Sequence, residues 1–192
     1  MSVPAFWDEA KEYVDLVSNL MVEAGKAAHI SVDGADMVRS DLMSFAMYLS
    51  ASDGTVSRDE AAFFTHVFSL PSLSSDAAAS IIASNARENN IYSKEYETKV
   101  PTSLQFTVAM DNAMLDSGIV PDNGSITKVL LQVYEMIGTH IIKSDGNVAA
   151  NEVKDFKIYM KTLHDFVSTN YKGTLSTDFN SNFSDTTGFV KQ

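Results

Sequence analysis

The sequence predicts an all-α protein, and two observations about its apolar residues support that class. Apolar residues recur at three-to-four spacing along most of the chain, as amphipathic helices require. Strict apolar–polar alternation, which is typical of half-buried strands, is hard to find. Cysteine is absent from the 192 residues, so the fold is held without disulfides or thiolate metal sites. We therefore expect about seven helices in a single domain.

Seven segments carry the helical pattern, and several have recognisable ends. Pro4 suits a first helical turn, and Ser57 with Glu60 forms a capping-box pattern. Either Ser74 or Ser75 would cap the fourth segment, and Gly118 suits a helix end. In chain order the segments are Phe6–Ala24, Val38–Leu49, Ser57–Leu70, Ser74–Asn90, Ser103–Gly118, Ser125–Asp145 and Asn151–Val167.

Two acidic turns divide matching pairs of these helices. The stretches SDGTVSRDE and SDGNVAANE place Asp53 and Asp145 92 residues apart. The same offset relates the apolar registers on both sides of each turn. It maps Val38, Leu42, Phe45, Ala46 and Leu49 onto Leu130, Tyr134, Ile137, Gly138 and Ile141, and Phe64, Val67 and Phe68 onto Phe156, Tyr159 and Met160. Because two copies are too few for a solenoid, we predict two pseudo-symmetric helical hairpins that face each other.

The chain changes character after Val167. We predict a helical domain over residues 1–167 and a polar C-terminal tail over residues 168–192. The tail is rich in Ser, Thr, Asn and Gly, and its apolar residues are isolated. Two interpretations stay open, namely a poorly ordered segment and a segment whose aromatic residues dock on this chain or a neighbour.

The charge balance limits the classes of partner. The formal net charge is −11, from 25 acidic and 14 basic residues, and no basic patch is visible. Such a chain repels phosphate backbones and favours cations or basic protein surfaces, so no nucleic acid is expected. The sequence shows no targeting signal and no uncharged apolar stretch near the roughly 20 residues that span a bilayer. A cytoplasmic protein without membrane insertion is therefore expected.

The acidic turns resemble a calcium loop, but an EF-hand is excluded. An EF-hand loop carries oxygen ligands at positions one, three and five, glycine at six and glutamate at twelve. With Asp53 at position five and Glu60 at twelve, positions one and three are Leu49 and Ala51. The third position of the second copy is Lys143, which would repel the ion.

Over roughly Val38 to Val167 the chain resembles the TerB-like family of tellurite-resistance proteins. That family is similar to the N-terminal region of certain membrane-anchored DnaJ co-chaperones. A helix that ends in Ser-Asp-Gly, a β-branched residue and a glutamate in the next helix carry the resemblance. The residues are Asp53, Gly54, Val56 and Glu60 in the first copy and Asp145, Gly146, Val148 and Glu152 in the second. The chain departs from the pattern at Ala149, which stands where the first copy has Ser57, and it lacks the His-Pro-Asp of a J-domain.

The resemblance implies a compact all-α domain and a non-catalytic role in tellurite or chemical stress response. It further implies an interaction scaffold with protein partners, including basic or membrane-associated complexes. Carboxylates near the turns would hold a divalent cation, with Asp53, Glu60, Asp145 and Glu152 as its ligands. Calcium, magnesium or manganese would suit these oxygen ligands, because the chain has no thiolates.

A structural interpretation of the same acids stays open beside the metal. Asp53 would accept turn hydrogen bonds, Gly54 would adopt a positive φ, and Glu60 would close its capping box. This interpretation explains Glu152 less well, because Ala149 has no hydroxyl.

Two other functions also stay open: a metal-dependent hydrolase-like enzyme that uses the clustered carboxylates, and a structural subunit of a larger assembly. The usual catalytic motifs are missing from the sequence. The four histidines, His29, His66, His140 and His164, show no metal-binding spacing and are expected at the surface or half-buried. Asp111 and Asp116 are expected on a solvated helix face, with a place in an acidic cluster as the alternative. Phe63 and Phe64 are expected in the core.

Overall fold

Helices form the described part of the chain, which in this computed structural model comprises residues 4–27, 33–70, 74–91, 94–118, 125–146 and 148–174. They are α1 Ala5–Ala27, α2 Gly34–Ser50, α3 Arg58–Val67, α4 Ser75–Glu88, α5 Lys94–Glu97, α6 Thr102–Asp116, α7 Ile126–Lys143 and α8 Ala150–Asn170. No strand occurs in these ranges, and the all-α class is confirmed. Seven of the helices match the predicted segments, whereas the four-residue α5 was not predicted.

Two helix ends differ from the predicted ones. Helix α3 ends at Val67 rather than near Leu70, because Ser69 adopts a left-handed φ of 52° that stops the helix. Helix α8 continues past Val167 to Asn170, so the first residues assigned to the tail are helical. Residues 171–174 follow without regular structure, and residues 175–192 of the predicted tail lie outside the described residues.

Serine side chains begin three of the helices. Ser57, Ser74 and Ser125 each accept a hydrogen bond from the backbone N–H three residues later. The first four N–H groups of a helix have no partner within it, so each hydroxyl satisfies one of them. The sequence left Ser74 and Ser75 as alternative caps for α4, and the structure selects Ser74.

The repeat predicted from the sequence forms the centre of the molecule. Helices α2 and α7 pack against each other, and every residue in the matched registers is buried. The ring of Phe45 lies 5.2 Å from that of Tyr134 and 5.0 Å from that of Tyr159, measured between centroids. The two hairpins therefore share one core.

The repeat also includes a third pair of helices, which the sequence did not reveal. Helix α1 packs on α2 and α7, and α6 packs on α7 and α2. Their buried faces correspond at an offset of 93 residues, one more than the hairpins. This offset pairs Ala10 with Ser103, Val14 with Thr107 and Ser18 with Asp111. Each half is thus a three-helix unit, α1–α3 or α6–α8.

One prediction about the surface is wrong. Asp111 was expected on a solvated helix face but is fully buried. Its two carboxylate oxygens accept the backbone N–H groups of Ile126 and Thr127 at 3.3 and 2.9 Å. The start of α7 needs acceptors and its dipole favours a negative charge, which accounts for a buried carboxylate there. Asp116 is exposed and pairs with Lys172.

The described histidines lie where the sequence suggested. His66 contacts the carboxylate of Asp8 at 2.8 Å, and the half-buried ring of His140 stacks on Phe6 at 4.9 Å. His29 lies outside the described residues. Phe63 and Phe64 are buried in the core, as expected. Among the described residues, no helix combines the length and apolar character needed to cross a membrane.

Candidate functional site

Both acidic turns owe their shape to a glycine. Gly54 and Gly146 have φ angles of +93° and +77°, in the left-handed region that glycine adopts without strain. In the first turn, one carboxylate oxygen of Asp53 accepts the backbone N–H of Thr55 at 2.8 Å and its hydroxyl at 2.9 Å. Residue 147 of the second turn lies outside the described residues. Asp53 and Asp145 are both exposed at the surface.

The two glutamates that follow the turns are buried. Glu60 is 4% exposed and Glu152 is 5% exposed. Glu60 Oε2 accepts the backbone N–H of Ser57 at 2.7 Å, and Ser57 Oγ accepts the N–H of Glu60 at 3.1 Å, which completes the capping box. Glu152 Oε2 accepts the N–H of Ala149 at 3.1 Å, and Ala149 has no hydroxyl to return the bond.

The four acids predicted from the sequence lie within electrostatic range of one another. Burial raises the pKa of Glu60, and the charges of Asp145 and Asp53 raise it further, against the lowering effect of its hydrogen bonds with Ser57. Burial is also the largest cause of the raised pKa of Glu152, followed by the charge of Glu60, with smaller contributions from Asp53 and Asp145. The structure thus brings Asp53, Glu60, Asp145 and Glu152 together from both halves of the repeat.

One oxygen in this carboxylate cluster has no hydrogen-bond partner within the described part of the chain. Glu60 Oε1 is buried and accepts no hydrogen bond from the described residues. A buried carboxylate oxygen without a donor is costly, and either a proton or a cation would relieve that cost. The residue types fit a hard divalent ion, which prefers oxygen ligands.

The described acidic side chains are not arranged as a complete metal site. Within the part of the chain that the structure describes, no three or more His, Asp or Glu residues are arranged so that they could hold a metal. Glu60 and Glu152 each use one oxygen to cap their own helix. Binding would therefore require the exposed side chains of Asp53 and Asp145 to move towards the two glutamates.

A neighbouring helix adds a cation that the sequence did not single out. A hollow of about 440 Å³ lies between the first turn and α4, and its lining includes Asp53, Val56 and Arg87. Sequence reasoning missed Arg87 because α4 lies outside the repeat.

Comparisons of the chain with protein-family models, with curated proteins and with solved structures found no match. The resemblance to TerB-like proteins therefore rests on the residues quoted above, and it stays a proposal.

Proposed function

We propose that the protein is a non-catalytic, TerB-like interaction module whose four turn carboxylates bind a divalent cation. The role in tellurite or chemical stress response belongs to the same proposal, since it comes from the family resemblance. Asp53, Glu60, Asp145 and Glu152 would supply the oxygen ligands. Bound cation would neutralise charge that the two halves otherwise hold close together.

The unpartnered Oε1 of Glu60 is the observation that carries this proposal. It belongs to a buried carboxylate within electrostatic range of three others, in a chain of net charge −11. Helix capping accounts for the Oε2 atoms of both glutamates, but it leaves this oxygen without a role. A cation supplies what the oxygen lacks and offsets the mutual repulsion of the four acids.

A hydrolase-like enzyme is the second candidate, because a bound cation beside carboxylates could activate water. It receives less support, since His66 and His140, the histidines nearest the turns in sequence, contact Asp8 and Phe6 and no contact with the four acids is seen for either. A structural subunit of a larger assembly is the third candidate. Neither alternative has an observation of its own that favours it.

Thermal unfolding with calcium, magnesium and manganese tests the proposal. An ion at a hundredfold excess over its Kd should stabilise the folded state by about 2.7 kcal/mol. For a domain of this size that corresponds to a rise in Tm of roughly 5–10 °C. The double variant Asp53→Asn with Asp145→Asn should lose the rise, because it removes two of the four ligands.

A matched control is Asp36→Asn with Asp59→Asn, which removes two exposed acids that lie outside the four. This variant should keep the rise in Tm. If none of the three ions changes the Tm at millimolar concentration, the cation part of the proposal is refuted. A rise that persists in the Asp53/Asp145 double variant would assign the ion to another site.

A further inference from the structure

The segment that leaves α8 lies on the outer face of α6. Asn112 donates from Nδ2 to the carbonyl of Asn170 at 2.8 Å, and its Oδ1 accepts the backbone N–H of Lys172 at 2.8 Å. Between these two bonds lies Tyr171, whose φ of −84° and ψ of 124° are those of extended backbone. Lys172 Nζ also donates to Oδ1 of Asp116 at 2.7 Å. Helix α6 therefore holds an extended segment by its backbone and by one basic side chain.

Helix α1 carries the same two polar groups at the corresponding positions. The offset of 93 residues that relates α1 to α6 maps Asn19 onto Asn112 and Glu23 onto Asp116. An amide and a carboxylate four residues apart are neighbours on one helix face. The stretches NLMVE and NAMLD, which begin at Asn19 and Asn112, also share their methionine. The outer face of α1 thus repeats the pair that holds the segment on α6.

The matching face of α1 is open within the described part of the chain. Asn19 is exposed, and no hydrogen bond is seen for its side chain. Glu23 pairs with Lys26 of its own helix at 2.8 Å, and both side chains are mostly exposed. Such a surface pair contributes little to stability, so a cation from outside can replace Lys26. Helix α3, the counterpart of α8, ends at Val67, which corresponds to Tyr159, so the first half lacks the last turns from which the segment on α6 departs.

Exposed apolar side chains continue this face of α1. Tyr13 is 41% and Leu16 is 47% exposed, and the half-buried Leu20 lies one turn after Leu16. Spacings of three and four residues place the three side chains in one stripe beside the amide and the carboxylate. On α6 the counterparts of the two leucines are alanines, Ala109 and Ala113. The open face therefore offers more apolar surface than the occupied one.

The charges of α1 favour a basic occupant. The helix has five acidic residues and two lysines. Three of the acids have a basic neighbour, which is Arg39, His66 or Lys26. Two exposed acids, Glu9 and Glu12, then remain against Lys11. A second copy of this chain, with its net charge of −11, would meet repulsion at this face, and residues 175–192 carry two aspartates and one lysine.

We propose that the outer face of α1 binds an extended, basic segment of a partner protein, in which a lysine or arginine follows an apolar residue. Asn19 would bond the backbone on both sides of the apolar residue, since an amide offers a donor and an acceptor. Glu23 would pair with the basic side chain, and the apolar side chain would lie on Leu16 and Leu20. The inference rests on the proposed function for the existence of a protein partner, and it does not involve the four turn acids.

Titration of the full chain with a peptide tests the proposal. The probe is the acetylated and amidated peptide STNYKGT, which copies residues 168–174. NMR with ¹⁵N labelling follows the side-chain amide of Asn19, whose signal is identified by its loss in Asn19→Ala. We expect saturable shifts of this amide with a Kd on the order of 1 mM, because the contacts are few and exposed.

Variants of both partners measure the charge contribution. Glu23→Gln should weaken peptide binding about threefold, as expected of an exposed ion pair. The same peptide with its lysine replaced by glutamate should bind about tenfold more weakly, because attraction becomes repulsion. Asn85→Ala removes an exposed amide from α4 and should leave the affinity unchanged. A chelator is present throughout, so the result is independent of whether the turn acids bind a cation.

Several results would overturn the proposal. The first is an Asn19 amide that the peptide leaves unshifted, and the second is equal affinity of the Glu23→Gln variant and the unchanged chain. Shifts of this amide on dilution without peptide would assign the face to a second copy of the chain. Shifts caused by Lys191→Gln alone would assign it to the C-terminal residues of the same chain. Either assignment would replace the partner segment as the occupant.

Discussion

The two halves of the repeat form the same acidic turn but cap the helix that follows it differently. In the first half, the hydroxyl of Ser57 and the carboxylate of Glu60 cap α3 reciprocally. In the second half, Ala149 leaves Glu152 to cap α8 alone. The buried glutamate is thus common to both halves, whereas the reciprocal serine is not. Capping explains the first copy more completely than the second.

The halves also differ where their helices cross the core. Ala46 of α2 and Gly138 of α7 occupy matching positions, and both are buried. A Cβ added to Gly138 would lie 2.4 Å from Cε2 of Phe156 and 3.1 Å from Cζ of Phe45. In the second half the aromatic packing therefore takes the space that a methyl group fills in the first.

The largest expected effect concerns this crossing. Gly138→Ala should destabilise the fold by about 2 kcal/mol, because overpacking against a buried ring costs about 3 kcal/mol and the gain in helix propensity is about 1 kcal/mol. Ala46→Gly, the reverse change in the other half, should cost about 1 kcal/mol through helix propensity. Urea unfolding of both variants measures the difference.

Phe156→Leu provides the control for the crossing, since it removes ring atoms next to Gly138. Combined with Gly138→Ala, it should restore part of the lost stability. Equal losses in Gly138→Ala and Ala46→Gly would show that the two crossings are equivalent, contrary to the packing.

A second effect concerns the buried glutamates. The pKa values of Glu60 and Glu152 are raised from 4.5 to about 7 and about 8. Between pH 4.5 and about 8, the folded state therefore holds more protons than the unfolded state. The free energy of unfolding consequently falls as the pH rises through this range. Glu60→Gln should add on the order of 2 kcal/mol to the free energy of unfolding at pH 8, and nothing below pH 4.5.

Unfolding at both pH values, with a chelator present to exclude metal ions, measures this effect. Glu12→Gln, on an exposed part of α1, removes a carboxylate remote in sequence and is the control. If Glu60→Gln leaves the slope of stability against pH unchanged, the two halves do not couple through these acids.

The smallest effect concerns the caps themselves. Ser57→Ala should cost about 1 kcal/mol, and Ala149→Ser should gain up to about 1 kcal/mol if the new hydroxyl reaches the N–H of Glu152. Thermal unfolding of the two single variants and of the double variant measures both changes. A neutral Ser57→Ala would mean that the glutamate alone caps each helix.

The sequence predicted the helices well, because amphipathic periodicity directly reports which face is buried. It did not predict that α1 and α6 are corresponding helices of the two halves. The matched residues differ in character, since apolar Val14 corresponds to polar Thr107 and Ser18 corresponds to Asp111. The buried face of α6 mixes polar with apolar residues, so its apolar pattern does not match that of α1. Helix α5 was missed for another reason, as four residues are too few to show a period.

The four acids of the candidate site can be selected from the sequence, but their environment cannot. The repeat selects Asp53, Glu60, Asp145 and Glu152, yet a capping box usually lies at an exposed helix start. Nothing in the local sequence indicates that Glu60 and Glu152 are buried, because their burial comes from packing between the two halves. Asp111 shows the same limit, since the N–H groups that satisfy it belong to a different helix.

The contact of Asp111 with the start of α7 has a consequence for insertions between α6 and α7. Two hydrogen bonds join α6 directly to α7, so these helices have an attachment to each other besides the chain that connects them. The connection from Ser117 to Ser125 is therefore a suitable place for an inserted peptide tag. After such an insertion, the hydrogen bonds between Asp111 and the start of α7 would still join the two helices.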